Sequence, residues 1–152
     1  MLKINLICVG NLKEKFWKDA ENEYLKRLSA FCNINVIEIK EANTESSTTE
    51  TLKIEGENIL KKLKGYIIIC DISAKSFTSE QFASKLEEIK QISSEISFVI
   101  GSSYGLCDMV KKKADLKVSF SSMTFAHNLF RIMLEEQIYR AFMITAGRSY
   151  HK

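Results

Sequence analysis

The 152-residue chain has no proline and only six glycines. Without proline there is no stretch to build a stiff extended linker. With no repeat or low-complexity block either, the length predicts one domain over residues 1–152. Long hydrophobic runs are also missing. Nothing approaches the ~18 apolar residues of a membrane span, and Ile4–Val9 is too short for a secretory signal and lacks a cleavage pattern. Cys8, Cys32, Cys70 and Cys107 form no C-x-x-C pair. They read as buried reduced thiols, which suits a cytoplasmic location. With only two histidines beside them they make no credible zinc set, so no metal is expected. Absent too are G-x-G-x-x-G, the P-loop, H-E-x-x-H and G-x-S-x-G, which argues against a Rossmann dehydrogenase, a P-loop enzyme, a zincin and an esterase.

Charge is modest but uneven. Residues 1–100 carry 14 basic and 15 acidic side chains, whereas residues 101–152 carry 8 basic and 4 acidic. The basic bias of the last third is weak support for a polyanionic partner.

Taken in order, Lys3–Val9 reads as a strand, and Lys13–Phe31 as a helix with Phe16, Ala20, Tyr24, Leu28 and Phe31 on one face. Ile34–Ile39 is a second strand, followed by a polar, solvent-facing loop over Lys40–Ser46. Ser47-x-x-Glu50 is a capping-box pattern opening a helix to about Lys64, with Lys61, Lys62 and Lys64 in its last turn and Gly65 ending it. Tyr66–Asp71 is an unalternating apolar strand, typical of a sheet covered on both faces. Thr78-x-x-Gln81 caps the next helix, to roughly Ile92; Ile96–Ile100 is a buried strand; a short helix over Cys107–Ala114 leads to a strand at Leu116–Phe120. The alternation predicts an α/β fold, a mainly parallel sheet sandwiched by helices.

The last quarter is unusual. Between Leu129 and Ile144, eleven of sixteen residues are apolar or aromatic, leaving a narrow polar sector around Glu136, Gln137 and Arg140. Such a helix must be buried on more than one side, and the expected covers are its own sheet and a second subunit.

Ligands of open α/β sheets collect at the carboxyl ends of strands. Three such ends carry suggestive residues: Cys70-Asp71-Ile72, Gly101–Leu106 with its Gly-x-x-x-Gly turn, and Ser119–Phe125. Each also has an ordinary structural reading, as a strand-end cap, a tight turn or a capped loop. Arg131 and Arg140 could contact the phosphate of a polyanionic partner or the pocket, or pair with Glu135 and Glu136 at i,i+4. Lys111–Lys113 reads as a solvated basic face, His127 as a structural residue at the helix entrance, and Phe16 and Trp17 as packing for the first helix.

Together, I-G-S-S-Y-G-L (Ile100–Leu106), L-K-V-S-F-S-S-M-T-F-A-H (Leu116–His127), R-I-M-L-E-E-Q-I-Y-R-A-F (Arg131–Phe142) and the terminal Y-H-K resemble the RlmH (YbeA-type) methyltransferases of the SPOUT superfamily. The N-terminal K-I-N-L-I-C-V-G-N-L and Glu23–Leu28 fit as well, so the likeness runs along the whole chain. It implies a C-terminal trefoil knot, a homodimer, S-adenosyl-L-methionine as cofactor, and methylation of N3 of a pseudouridine in large-subunit (23S) ribosomal RNA, in the assembled ribosome. Carried over by motif, the implied cofactor contacts are Cys70, Gly101, Phe120, Ser121, Ser122, Met123, Thr124 and Phe125. The implied catalytic candidates are His151, Tyr150 and Arg131, and a histidine side chain is the better base. The chain departs from the pattern at Ser102, where the family has a second glycine, and at Ala126, where it has proline. A positive φ at residue 102 would strain a serine. The alternatives are a non-catalytic RNA- or ribosome-binding module that keeps the fold, and a generic nucleotide-binding α/β protein.

Overall fold

In the computed structural model, Leu2–Val9 (β1), Cys32–Ile39 (β2), Tyr66–Cys70 (β3), Glu95–Ile100 (β4) and Leu116–Val118 (β5) pair in parallel, in the order β2-β1-β4-β3-β5. Residues 1–42 and 47–152 are described; residues 43–46 of the expected polar loop lie outside them. Helices Lys15–Leu28 (α1), Ser79–Ile92 (α3) and His127–Thr145 (α5) cover one sheet face over a core that includes Ile4, Leu6, Phe98, Leu134 and Ile138. Helices Thr48–Leu60 (α2) and Asp108–Lys111 (α4) cover part of the other, around Ile7, Val9, Ile59, Val99 and Val110. The element order and the sandwich are those expected, and the sheet is parallel throughout.

Local chemistry sets the boundaries. Thr78 Oγ1 accepts from the Gln81 N–H at 3.1 Å and Gln81 Oε1 accepts from the Thr78 N–H at 2.9 Å, a reciprocal capping box that opens α3. Ser47 Oγ accepts from the Glu50 N–H at the start of α2.

α2 stops at Leu60, so Lys61, Lys62 and Lys64 lie beyond its last turn rather than in it. The cause is Ser97 on β4, whose Oγ accepts from Lys64 N–H at 3.0 Å and donates to Lys64 C=O at 2.7 Å, drawing that backbone out of the helix onto the sheet. Gly65 then turns the chain at φ +68°, where an added Cβ would meet Glu95 O at 2.0 Å. β5 ends two residues before the expected Phe120, because Ser119 N–H turns to Lys75 C=O at 3.1 Å in the loop after β3.

α1 buries only Leu28 among its residues, and Phe16, expected inward, is 63% exposed with its ring 5.0 Å from Trp17. α5 lies between α1 and α3 on the sheet. Three sides of its apolar wheel are therefore covered by the chain itself, and the wheel alone does not require a second subunit.

Candidate active site

The carboxyl ends of β3, β4 and β5 open into one cleft of about 470 Å³, within the range of small-ligand sites. Cys70, Gly101, Phe120, Ser121, Met123, Thr124 and Phe125 all line it, brought together from three separate stretches; Ser122 is not among the lining residues. Asp71, Ile72, Tyr104 and Leu106, from the strand ends that the sequence singles out, line it too, and the structure adds Lys111, His127 and Phe130, among others.

The walls are held by packing. Phe98 in the core meets Phe82 at 6.3 Å between ring centroids, and Phe82 meets Phe120 edge-on at 6.4 Å. Phe120 and Phe125 both pack on Phe130 of α5, at 5.0 and 6.5 Å. This aromatic chain ties the segment after β5 to the rigid interior, so its polar groups are positioned before any ligand arrives. Within the segment, Ser119 Oγ donates to Ser121 C=O and Ser121 Oγ accepts from the Met123 N–H, both at 3.0 Å.

On the opposite wall, Gly105 N–H donates to Ser102 C=O at 2.8 Å to close the loop after β4. A Cβ on Gly101 would lie 2.4 Å from Gly105 O, so only glycine permits that close return. No described non-glycine residue has positive φ, so Ser102 carries no left-handed strain and the departure there is accommodated. Ala126 sits at φ −54°, an angle proline also adopts.

Burial pushes the Cys70 thiol up to about 12, so it serves as a neutral wall rather than a thiolate. At Asp71, desolvation acts to raise the pKa. The Ser73 N–H and Oγ–H, at 3.0 and 2.8 Å, together with the charges of Lys111 and Lys117, outweigh it and hold the carboxyl below its ordinary value. Asp71 is thus a turn cap and an ionised cleft residue at once. His127 Nε2 lies 2.7 Å from Val9 C=O; a carbonyl only accepts, so Nε2 carries the proton and pins the start of α5 to the end of β1.

The three catalytic candidates lie elsewhere. Arg131 is 3% exposed, its Nε and Nη2 donating to the two oxygens of Glu21 at 2.8 and 3.0 Å and its Nη1 to Glu38 at 2.8 Å. Its guanidinium is committed to α1 and β2, which makes it a clamp on α5. Tyr150 and His151 dock on the polar sector of α5. Tyr150 O–H donates to Glu136 Oε1 at 3.1 Å, and Arg140 Nη2 donates to the same oxygen at 2.6 Å. Arg140 Nη1 lies 3.1 Å from His151 Nδ1, and His151 Nε2 lies 2.6 Å from Glu80 Oε1. An arginine only donates, so Nδ1 accepts and Nε2 holds the proton. Desolvation, then the charge of Glu136, raise the Tyr150 phenol above its ordinary range, so it stays a donor. A second cavity of about 330 Å³ shares Val118, Ser119, Phe120 and Phe125 with the cleft and reaches Glu136. Neither Tyr150 nor His151 lines either cavity.

A parallel α/β sandwich with its cleft at three strand ends, walled by backbone loops and hydroxyls, has that cleft where open α/β sheets collect ligands. The family described as "Predicted SPOUT methyltransferase" matches residues 2–151, and the chain belongs to it. It is 46% identical to ribosomal RNA large subunit methyltransferase H of Clostridium acetobutylicum, over 99% of this chain and 100% of that one. It is 48% identical to the protein of the same name from Caldicellulosiruptor saccharolyticus, over 98% and 99%. A solved structure of a probable methylase family protein from Haemophilus influenzae superposes with a TM-score of 0.57 at 12% identity, over 98% of this chain and 70% of that one. That last likeness concerns the fold alone.

Proposed function

We propose that the chain is an S-adenosyl-L-methionine-dependent methyltransferase that modifies N3 of a pseudouridine in large-subunit ribosomal RNA, working as a cytoplasmic homodimer on the assembled ribosome. The observation that carries this reading is the meeting of Cys70, Gly101, Phe120, Ser121, Met123, Thr124 and Phe125 around one cleft in a chain of this family. The reading includes a C-terminal trefoil knot with α5 as its thread.

The residues present fit the cofactor. Ile100, Leu106, Phe120, Phe125 and Phe130 offer apolar walls for a flat base, Ser121 and Thr124 offer hydroxyls, and the ionised Asp71 suits an ammonium or a ribose. When bound, S-adenosyl-methionine supplies a methyl already activated by its sulfonium. The protein's own work is then to orient the acceptor, exclude water and take the N3 proton.

His151 is the assigned base and Tyr150 and Arg140 its supports. The acceptor atom on His151 is Nδ1, which faces Arg140 here. A substrate proton reaches it once Arg140 turns to an RNA phosphate, coupling base availability to RNA binding. That the chain's own tail lines neither of its own cavities supports its serving the cleft of a partner subunit. Arg131 acts as a positioning residue through α5.

Calorimetry with S-adenosyl-methionine is the first test, and absence of binding overturns the enzyme in favour of a non-catalytic binding module. Methyl incorporation into intact ribosomes, compared with free rRNA, tests the substrate. No helix among the described residues is long and apolar enough to cross a membrane.

A further inference from the structure

A parallel sheet ordinarily hides both faces under apolar side chains. On the α2/α4 face that holds only for the carboxyl half, where Ile7, Val9, Ile39 and Val99 pack beneath Ile59 and Val110. Across β2, β1 and β4 the amino half of the same face is polar. Strand register aligns Asn33, Lys3 and Glu95 in one row across β2, β1 and β4, and Asn35, Asn5 and Ser97 in the next. Above these rows runs a groove of about 400 Å³ whose rim is Lys61, Lys62 and Lys64. It lies at the opposite end of the strands from the cleft, roughly 20–25 Å away at ~3.3 Å per residue along β1.

Three features make this more than a solvated edge. Lys3, Lys61, Lys62 and Lys64 are exposed, and none makes an ion pair among the described residues, whereas lysines 15, 85 and 90 do. The carboxylate within the groove, Glu95, is engaged by the Asn5 amide at 2.9 Å. The lysine rim is also built onto a fixed backbone, because Ser97 grips both the N–H and the C=O of Lys64 and Gly65 closes the turn against Glu95. Unpaired ammonium groups along one edge, with exposed Asn33 and Asn35 amides on the floor, match a ligand carrying regularly spaced anionic oxygens and hydroxyls. RNA backbone is such a ligand.

We propose that this groove is a second RNA-contacting surface, holding phosphodiester backbone of the ribosomal RNA substrate away from the methylated base. The proposal rests on the rRNA reading given above. Because it is remote from the chemistry, the groove acts on substrate binding and leaves the methyl-transfer step alone.

The test uses the full chain, large-subunit rRNA and a salt titration of binding. The triple variant Lys61→Gln, Lys62→Gln, Lys64→Gln is expected to flatten the plot of log affinity against log salt by about 2, at ~0.7 per phosphate released. KM for RNA should rise at least about tenfold, with kcat and S-adenosyl-methionine affinity unchanged. The triple arginine variant should keep the wild-type slope, and Lys85→Gln with Lys90→Gln on α3 should leave it unaltered. An unchanged slope in the triple glutamine variant, or an equal loss in the α3 control, overturns the groove. A failed function reading shows separately, as a wild-type protein that transfers no methyl to rRNA.

Discussion

Helix α5 carries two arginine–glutamate pairs at the same i,i+4 spacing, Arg131/Glu135 and Glu136/Arg140, and they end in opposite environments. Glu136 and Arg140 form the local pair at 2.6 Å on a part-buried sector, where the tail joins them. Arg131 passes over Glu135 to reach Glu21 and Glu38 on other elements. Glu135 is fully buried, and neither of its oxygens has a partner as a carboxylate. Two physical reasons separate them. An acid N-terminal to a base is the favoured order on a helix, which fits Glu136 before Arg140 and not Arg131 before Glu135. The helical phase also puts 131 and 135 on the stripe shared with Ile138 and Phe142, against the sheet and α1. Spacing proposes a pair; burial decides whether it is a surface pair or a desolvated network.

The largest test of this contrast is truncation. Arg131→Met leaves Glu21, only 13% exposed in its side chain, without its bidentate partner, and is expected to lose about 3–5 kcal/mol in urea unfolding. Arg140→Met removes a partly solvated pair and should cost no more than about 1 kcal/mol. Equal losses would erase the distinction.

Glu135 sharpens it through pH. Desolvation first, then the neighbouring Glu21 carboxylate, push its pKa far above the carboxylate range, against the opposing pull of Arg131. The folded protein therefore holds a proton that the unfolded chain releases, with Glu21 as its natural acceptor. Below the ordinary glutamate range both states are protonated and nothing is lost. As pH rises from that range towards the folded pKa, stability falls by up to ~1.4 kcal/mol per pH unit. Glu135→Gln should remove that slope, so that denaturation midpoints of variant and wild type converge near pH 4 and diverge by pH 8, the variant being the more stable. Parallel curves would mean that Glu135 is ionised in the fold.

The part-buried network around Glu136 should respond in activity rather than stability. His151→Gln is expected to lower kcat by about 10²-fold, the lower end of general-base contributions. Its S-adenosyl-methionine affinity should hold and its stability should move by less than about 1 kcal/mol. A variant that keeps full turnover removes His151 from the mechanism and leaves the tail as a docking device for α5.

What could be read from the chain alone follows the same division. Apolar runs and the Thr78–Gln81 box placed the elements, because those signals are local. The rule that ligands collect at strand carboxyl ends picks out the three stretches of the cleft, but not that they share it, since the three ends meet only after the sheet order is set. Arg131's partners lie 110 and 93 residues away, beyond any spacing rule. Phe16 went wrong for a related reason: a helical wheel gives phase, not how far neighbours extend along the helix, and α1 docks chiefly through its end near Leu28. Phe130 reads in the sequence as one more apolar helix residue, although its i,i+3 relation to His127 at the helix mouth is a usable sign that it faces the cleft. The alternating K-I-N of β1 and N-I-N of β2 were visible too, but their meaning needed the register that sets Lys3 beside Asn33.

The smallest expected effect lies where α5 begins, ahead of both pairs. Ala126 has φ −54° and ψ 137°, and among the described residues its N–H makes no backbone hydrogen bond. Proline fits that conformation and gives up no donor that the fold uses. Ala126→Pro should therefore stabilise by roughly 0.4–1 kcal/mol, by narrowing the unfolded ensemble. Because it adds no contact, it should stiffen the entrance of α5 without touching either charge network. Combined with Arg131→Met or with Arg140→Met, its gain should add to within about 0.5 kcal/mol. A gain that vanishes only in the Arg131→Met background would show that the buried clamp, rather than the local backbone, fixes the entry to the helix, and would extend the buried half of the comparison up to the cleft itself.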